Sequence, residues 1–493
     1  VRAVRQFSLF AVADILGLGI GILVSPITTR LLTPSQYGAV PILAAIWAVF
    51  SLMQYGGMDW AFPFFRSRPD IYSAEKVRAT STRIVLLAVL LTWLLFGVWL
   101  FWTGYGHSNA NMSMWEVVFY FLSIPPSAFI GWQLYIMRFE LQAAAFARLS
   151  VFGRVFPPLL AIPLMAMVDQ EHRLALNLLA GCITSWIVCW WGSSTLKRAG
   201  LSASQTEASL PLAKEMLRYG IVLVPAAVVY SLFTVVDRIL LGYYRTPEEV
   251  AVYVLAINVG GFALLIKVWF GRIFDPYLIR WIENRRAEEY IPKLQDALDL
   301  IALIMTVLTL LAAFWSGHLF SLLYPDAYQR SAEVVPLIVF AGAISSLSLI
   351  FVASPLMSQK TMFHLPIYSL GLIVNSISGF ILIPRIGVSG AVWGTLLGET
   401  IISLAWIATG RWILRNLRLK MLFPVSLLSF AFVTCILYAS PTFLQSTPIL
   451  ESIILSIILC VFITTLFFLR LRRSEWIRKS LPPLFTREMI GKK

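Results

Sequence analysis

About fourteen apolar stretches, each about 20 residues long, recur between Phe7 and Leu469, and about 20 apolar residues are what a helix needs to cross a bilayer. In hydrocarbon every backbone N–H and C=O must find a partner within the protein, which leaves helices as the natural form for runs of this length. The composition agrees: 59% of the 493 residues are hydrophobic and 13% charged, where a soluble protein carries about 25%. The sequence therefore predicts an all-α polytopic membrane protein and excludes a water-soluble surface.

Hydropathy places spans at 7–32, 38–63, 84–103, 115–137, 150–168, 174–196, 217–243 and 250–274. The rest fall at 296–323, 334–357, 365–384, 388–411, 421–441 and 449–469. The basic residues test this count. With the N-terminus inside, segments on the inner side hold 31 of the 39 Lys and Arg, while the outer loops hold Arg30, Arg173, Arg245, Arg330 and Arg385. Arg238, Lys267 and Arg272 remain within spans. Such asymmetry follows the positive-inside rule and places both termini in the cytoplasm. It also assigns the net charge of +14 to topology and lipid headgroups rather than to nucleic acid. The basic start Val1–Gln6 leads into an apolar run that reaches Leu32 without a small-x-small cleavage site, so it reads as a retained first span.

Several function classes lack their signatures. The longest outer connections, Gly104–Ser113 and Tyr324–Glu333, run to ten residues, too short for an external catalytic domain. There is no GxxxxGK[ST] loop to hold a nucleotide, and no nucleophile–base pair stands out. Cys182, Cys189, Cys435 and Cys460 lie in apolar stretches without metal or redox spacing and read as small hydrophobes. No enzyme activity, metal or cofactor is expected.

The chain repeats itself. Thr33-Pro34-Ser35-Gln36-Tyr37-Gly38-Ala39 follows span 1, and Thr246-Pro247-Glu248-Glu249-Val250-Ala251-Val252 follows span 7, 213 residues later. Each sets Thr-Pro and two polar residues before a small residue that opens the next span. Six spans separate the copies, and an even number preserves orientation. This predicts two parallel-repeat six-helix lobes around a central cavity, 1–198 and 217–415, joined by a cytoplasmic loop at 199–216. Two extra C-terminal helices (416–470) and a basic cytoplasmic tail (471–493) follow.

A charge in the bilayer core costs several kcal/mol, so each is a candidate for function. Asp14, Gly17, Gly21, Ser25 and Thr28 fall on one face of span 1. That strip reads either as a Gly17xxxGly21 packing seam or as a water-lined wall carrying Asp14. Tyr230, Thr234, Asp237 and Leu241 share a face of span 7, with Arg238 about 100° round; the Asp-Arg pair is either structural or part of a cavity. Lys267 lies deep in span 8, whereas Arg272 is placed to snorkel. Gly390, Gly394 and Gly398 read as close packing in span 12, with Glu399 near mid-membrane. Asp59 falls in span 2, and Arg30 ends span 1.

Four segments carry a resemblance. Leu31-Leu32-Thr33-Pro34-Ser35-Gln36-Tyr37-Gly38 is similar to the LLTPxxYG signature of polysaccharide and O-antigen flippases, within the multidrug/oligosaccharidyl-lipid/polysaccharide exporter superfamily. Val236-Asp237-Arg238-Ile239-Leu240-Leu241-Gly242-Tyr243 resembles that family's DRxxLGxF/Y. Asp275-Pro276-Tyr277-Leu278 resembles the end of its span 8, and Ile383-Pro384-Arg385-Ile386-Gly387-Val388-Ser389-Gly390-Ala391 its IPxxGxxGAA turn. The family often has an arginine sooner after its Gly-x-Asp than Arg66 stands here, so Arg66 takes no role from the resemblance.

The resemblance implies a bacterial inner-membrane flippase that moves an undecaprenyl-pyrophosphate-linked oligosaccharide between leaflets by alternating access. Arg30, Arg238, Lys267 and Arg272 would neutralise the pyrophosphate in the cavity. Asp14, Asp59, Asp237 and Glu399 are candidates for coupling to protons or sodium ions. A lateral opening beside spans 1 and 8 would leave the polyprenyl tail in lipid, and membrane lipids and a polysaccharide polymerase are the expected partners. Two other readings stay open: a cation-coupled exporter of drugs on the same fold, and a non-transporting scaffold of a polysaccharide assembly complex.

Overall fold

The computed structural model describes residues 2–66, 68, 71–105, 111–201, 207–221, 224–261, 287–349, 351–352 and 363–413. Within its helices, side chains are described except at 2–15, 18, 287–300 and 411–413. Spans 13 and 14, Lys267, Arg272, Cys435, Cys460 and the Asp275–Leu278 segment lie outside the described residues. Among those described, ten helices are long and apolar enough to cross a membrane, and Gly19–Leu31 adds a shorter apolar stretch. The protein is a multi-pass, all-helical membrane protein.

The chain divides into two compact units, Val1–Val254 with Asn375–Ala391, and Leu255–Val374 with Val392–Lys493. The first holds α1 (Arg2–Leu31), α2 (Pro34–Phe50), α3 (Met58–Arg66), α4 (Ala74–Thr103), α5 (Met114–Phe139), α6 (Ala143–Ala166), α7 (Arg173–Arg198), α8 (Leu210–Ile221) and α9 (Val224–Tyr244). It also takes the start of α10 (247–261) and the C-terminal half of α13 (His364–Ile386).

Local sequence sets several helix starts. Thr33 Oγ1 accepts the Gln36 N–H at 3.2 Å while Gln36 Oε1 accepts the Thr33 N–H at 3.1 Å. With Pro34 at the first helical position, this capping box satisfies donors that α2 leaves exposed. Ser113 and Glu116 form the same reciprocal pair at the start of α5. A core of Met58, Phe62, Phe65, Trp132, Met137 and Leu149 then binds α3, α5 and α6.

One expected span is interrupted. Span 2, expected as one helix over 38–63, stops at Phe50 and resumes as α3 at Met58. Gly56 and Gly57 lie between, at φ +55° and +74°, a conformation that ends a right-handed helix and suits glycine. A Cβ on Gly57 would lie 2.5 Å from the Gly220 carbonyl carbon, so the break is also where α8 meets the chain backbone to backbone. Residues 217–221, expected at the start of span 7, lie in α8, an amphipathic helix that buries Leu212, Met216 and Gly220 at steps of four. Tyr219 stacks on Phe64 at 4.2 Å.

The loop end that carries most of the basic residues is tied by one carboxylate. Glu140 receives Arg66 Nε and Nη2 at 3.1 Å each and Arg78 Nη1 at 3.2 Å. Arg78 also donates to the Gly200 carbonyl at 3.4 Å. The hydrogen bond from Arg66 to Glu140 holds that guanidinium above its ordinary pKa, against a smaller opposing effect of burial. Nearby, the Tyr72 hydroxyl donates to Glu215 of α8 at 2.5 Å, which pushes its pKa up. The connections after α3, α5 and α7 thus converge on one clasp.

The second unit contains α11 (Ala287–Leu323), α12 (Ser331–Leu347), the first half of α13 and most of α14 (Val388–Ile413). Its described core joins Leu310, Phe340, Ala341, Ile344 and Leu396. Ser403 donates to the Ile344 carbonyl at 3.2 Å, and a Cβ on Gly371 would strike Ile402 at 2.3 Å. Close packing of α13 against α14 therefore rests on Gly371.

Candidate functional site

The two copies of the internal repeat meet. A Cβ on Gly38 would lie 1.8 Å from the Pro247 carbonyl oxygen and 3.1 Å from the Ala251 nitrogen. Gly38 and Ala251 are equivalent positions at the 213-residue offset, and so are Ser35 and Glu248, which share a hydrogen bond. Self-contact of equivalent residues is what a local two-fold relation requires. Glu248 feels desolvation that tends to raise its pKa, but hydrogen bonds from Thr246, its own backbone N–H and Ser35 outweigh it and hold the carboxyl below its usual range. Gly242 of α9 packs against Ile42 of α2 at the same contact.

Arg245, just beyond α9, locks the turn after α13. Its Nε and Nη2 donate to the Ile383 and Pro384 carbonyls at 3.1 and 2.8 Å, and its Nη1 faces Glu249 at 4.0 Å. Gly387, at φ +57°, would place a Cβ 2.4 Å from Glu249 Oε2. The IPxxGxxG-like segment is thus shaped by the second repeat copy.

Asp237 and Arg238 diverge as adjacent helix positions must. Asp237 is 4% exposed and accepts the Tyr253 hydroxyl of α10 and the Arg238 backbone N–H. Arg238 is half-buried; its Nη2 donates to the Thr234 carbonyl at 3.3 Å, and its buried Nε has no partner among the described residues. No carboxylate pairs with it there. The polar face expected on span 7 is not uniform, since Tyr230 and Thr234 are exposed while Asp237 and Leu241 are buried. The reason is that the C-terminal half of α9 is covered by α2, α10 and α13, with Asn375 donating to the Phe233 carbonyl at 3.3 Å.

The glycine strip of α1 separates into two behaviours. A Cβ on Gly17 would fall 1.6 Å from Arg154 Nη1, whereas Gly21 has nothing within 4 Å. Gly17 makes room for a guanidinium rather than for a neighbouring backbone, and Gly21 meets no atom of the described residues within 4 Å. Arg154 lies eleven residues into α6, about 16 Å along the helix at 1.5 Å per residue. It falls within a helix long and apolar enough to cross a membrane, near the start of its apolar stretch in the sequence.

The remaining candidates are scattered. Arg30 is exposed in the last turn of α1, where the helix dipole favours a cation. Asp59 is half-buried in the first turn of α3 rather than within a continuous span, and its backbone carbonyl accepts the Tyr135 hydroxyl. Asp14 lies on α1 with its side chain outside the description. Glu399 is half-exposed on α14 in the second unit.

The fold is one found among solved membrane proteins. It is similar to "Lipid II flippase MurJ, inward closed conformation" at a TM-score of 0.68, with 14% identity over 95% of this chain and 99% of that one. An inward-facing multidrug resistance MATE family transporter of the MOP superfamily gives 0.64, with 14% identity over 82% and 96%. The Vibrio cholerae MATE transporter VcmN in its bent form gives 0.55, with 15% identity over 84% and 98%. The chain belongs to a family described as "Polysaccharide biosynthesis protein", whose model matches residues 27–333. No curated protein matches it in sequence.

Proposed function

We propose that the protein is a flippase for undecaprenyl-pyrophosphate-linked oligosaccharide in the bacterial inner membrane, with both termini cytoplasmic. Membership of a polysaccharide biosynthesis family on a transporter fold carries this reading. The physical task is to move a hydrated dianion through hydrocarbon while its tail stays in lipid. Cations inside the membrane meet it, because arginine binds phosphate oxygens bidentately. Arg238, with a buried Nε that lacks a partner among the described residues, supports this role. Arg154 is added to the expected Arg30, Lys267 and Arg272. Two six-helix lobes rocking about the repeat contact would supply alternating access, and Asp14, Asp59, Asp237 and Glu399 are the candidates for ion coupling.

The test is to extract lipid-linked oligosaccharides from cells lacking the gene and complemented with variants. Accumulation of the undecaprenyl-linked unit with loss of surface polymer is expected in the null strain. Arg238→Ala and Lys267→Ala are expected to reproduce it at normal protein level, with a large drop in surface polymer. Full activity in both variants would remove the site assignment. Normal lipids and polymer in the null strain would favour cation-coupled export, the reading that the MATE likeness keeps open. Retained activity with every intramembrane cation neutralised would favour a scaffold.

A further inference from the structure

The two sides of α8 meet different surroundings. Leu212, Met216 and Gly220 are buried against the protein, and Glu215, the helix's single acidic residue, is engaged at its flank by the Tyr72 hydroxyl. At 100° per residue, Leu210, Lys214, Leu217, Arg218 and Ile221 fall within an arc of about 100° on the other side. All five are exposed. Leu210 and Ile221 are 71% and 63% exposed, so this arc presents bare aliphatic surface with two cations set into it.

The neighbouring α4 fixes the level at which the arc lies. The Ser209 backbone N–H donates to Thr80 Oγ1 at 3.2 Å. A Cβ on Gly56 would meet both Ile84 of α4 and Leu217 of α8, at 3.5 and 3.9 Å. α8 therefore lies beside residues 80–84 of α4. Lys76 and Arg83 are exposed up to that level, whereas Leu87, Leu90, Leu91 and Leu94 are exposed directly beyond it. A change from exposed cations to exposed leucines along one helix marks the edge of the hydrocarbon. α8 also ends three residues before Val224, where α9 begins, a helix long and apolar enough to cross a membrane.

Bare aliphatic surface is disfavoured in water, and two charges are disfavoured in hydrocarbon. The boundary between headgroups and acyl chains takes both: aliphatic side chains enter the acyl region while long Lys and Arg stems reach back to phosphates. With Glu215 engaged at the flank, the arc carries positive charge alone, which favours anionic lipid over zwitterionic. We propose that α8 is an interfacial anchor that docks the first unit on an anionic lipid surface, with Leu210, Leu217 and Ile221 among the acyl chains and Lys214 and Arg218 on the headgroup phosphates. Gly220 meets Gly57 backbone to backbone, so the same lipid contact braces the break between α2 and α3. This role is independent of what the protein transports.

Photo-cross-linking of the full chain tests it, with p-benzoylphenylalanine in place of Leu210 or Ile221 and the protein in nanodiscs of phosphatidylglycerol and phosphatidylcholine in equal amounts. Mass spectrometry is expected to find lipid adducts at both positions. Phosphatidylglycerol should exceed phosphatidylcholine in them by at least about threefold, less than the preference that one Lys or Arg near a surface supplies. Lys214→Gln together with Arg218→Gln should return the adducts to the equal ratio of the bilayer. Raising the salt to about 1 M, where the screening length falls to about 3 Å, should do the same without any substitution, so the test stands even if the double variant does not fold. Absence of lipid adducts at either position overturns the proposal, as does a cross-linked second copy of the chain in their place. A phosphatidylglycerol excess that survives both the substitutions and the salt, or no excess in the unaltered protein, also overturns it.

Discussion

Glu140→Ala is expected to destabilise the protein by about 3–5 kcal/mol, the cost of removing one partner from a buried ion pair. The side chains of Arg78 and Glu140 are 6% and 10% exposed. Without the carboxylate, the Arg78 guanidinium stays in a site walled by protein, with the Gly200 carbonyl as its one remaining acceptor among the described residues. Arg66→Ala provides the contrast. Its side chain is 34% exposed, so the loss should approach the ~0–1 kcal/mol of a surface pair, and Glu140 would keep Arg78. Unfolding of the two variants in detergent separates them. Equal losses would mean that the clasp does not depend on the buried Arg78.

Gly38→Ala is expected to cost at least the ~1–3 kcal/mol of overpacking a tight core, and to reduce surface polymer as well. Its Cβ would lie 1.8 Å from a backbone oxygen, which no rotamer change relieves, so α2 and α10 must part at the repeat contact. Gly21→Ala is the matched control. With nothing within 4 Å of its Cβ, it should gain the ~0.5–1 kcal/mol by which alanine exceeds glycine in a helix. Thermal unfolding with the surface-polymer assay reads both. A Gly38→Ala protein as stable as the unaltered one would show that the repeat copies do not need this approach. Gly57→Ala should be damaging for two reasons, a φ of +74° and the backbone of Gly220 at 2.5 Å.

The spans were legible because hydrocarbon imposes a length and a composition on any segment that crosses it. Most expected spans appear as helices with ends shifted by a few residues, such as 115–137 against Met114–Phe139. The capping boxes at Thr33 and Ser113 are local, each set by residues four positions of chain or fewer apart. The repeat was legible too, as a spacing of 213 residues. Its contact was not, because spacing says nothing of which faces meet.

Tertiary structure decided the rest, for one physical reason: burial and partnership depend on what lies opposite a residue. Gly56-Gly57 looks like any pair of glycines in an apolar run until α8 is laid against it. Gly17xxxGly21 has the spacing of a packing seam, yet Gly17 houses the Arg154 guanidinium and Gly21 houses nothing within 4 Å. Asp237 and Arg238 are neighbours in sequence but find separate partners, a tyrosine 16 residues on and a carbonyl of the same helix. The sequence by itself determined that the chain is an all-helical protein with many membrane-crossing segments and where its charges interrupt the apolar runs. Only the tertiary structure decided which of those charges are clasped and which glycine carries a neighbour's weight, because these depend on distances between residues far apart in the chain.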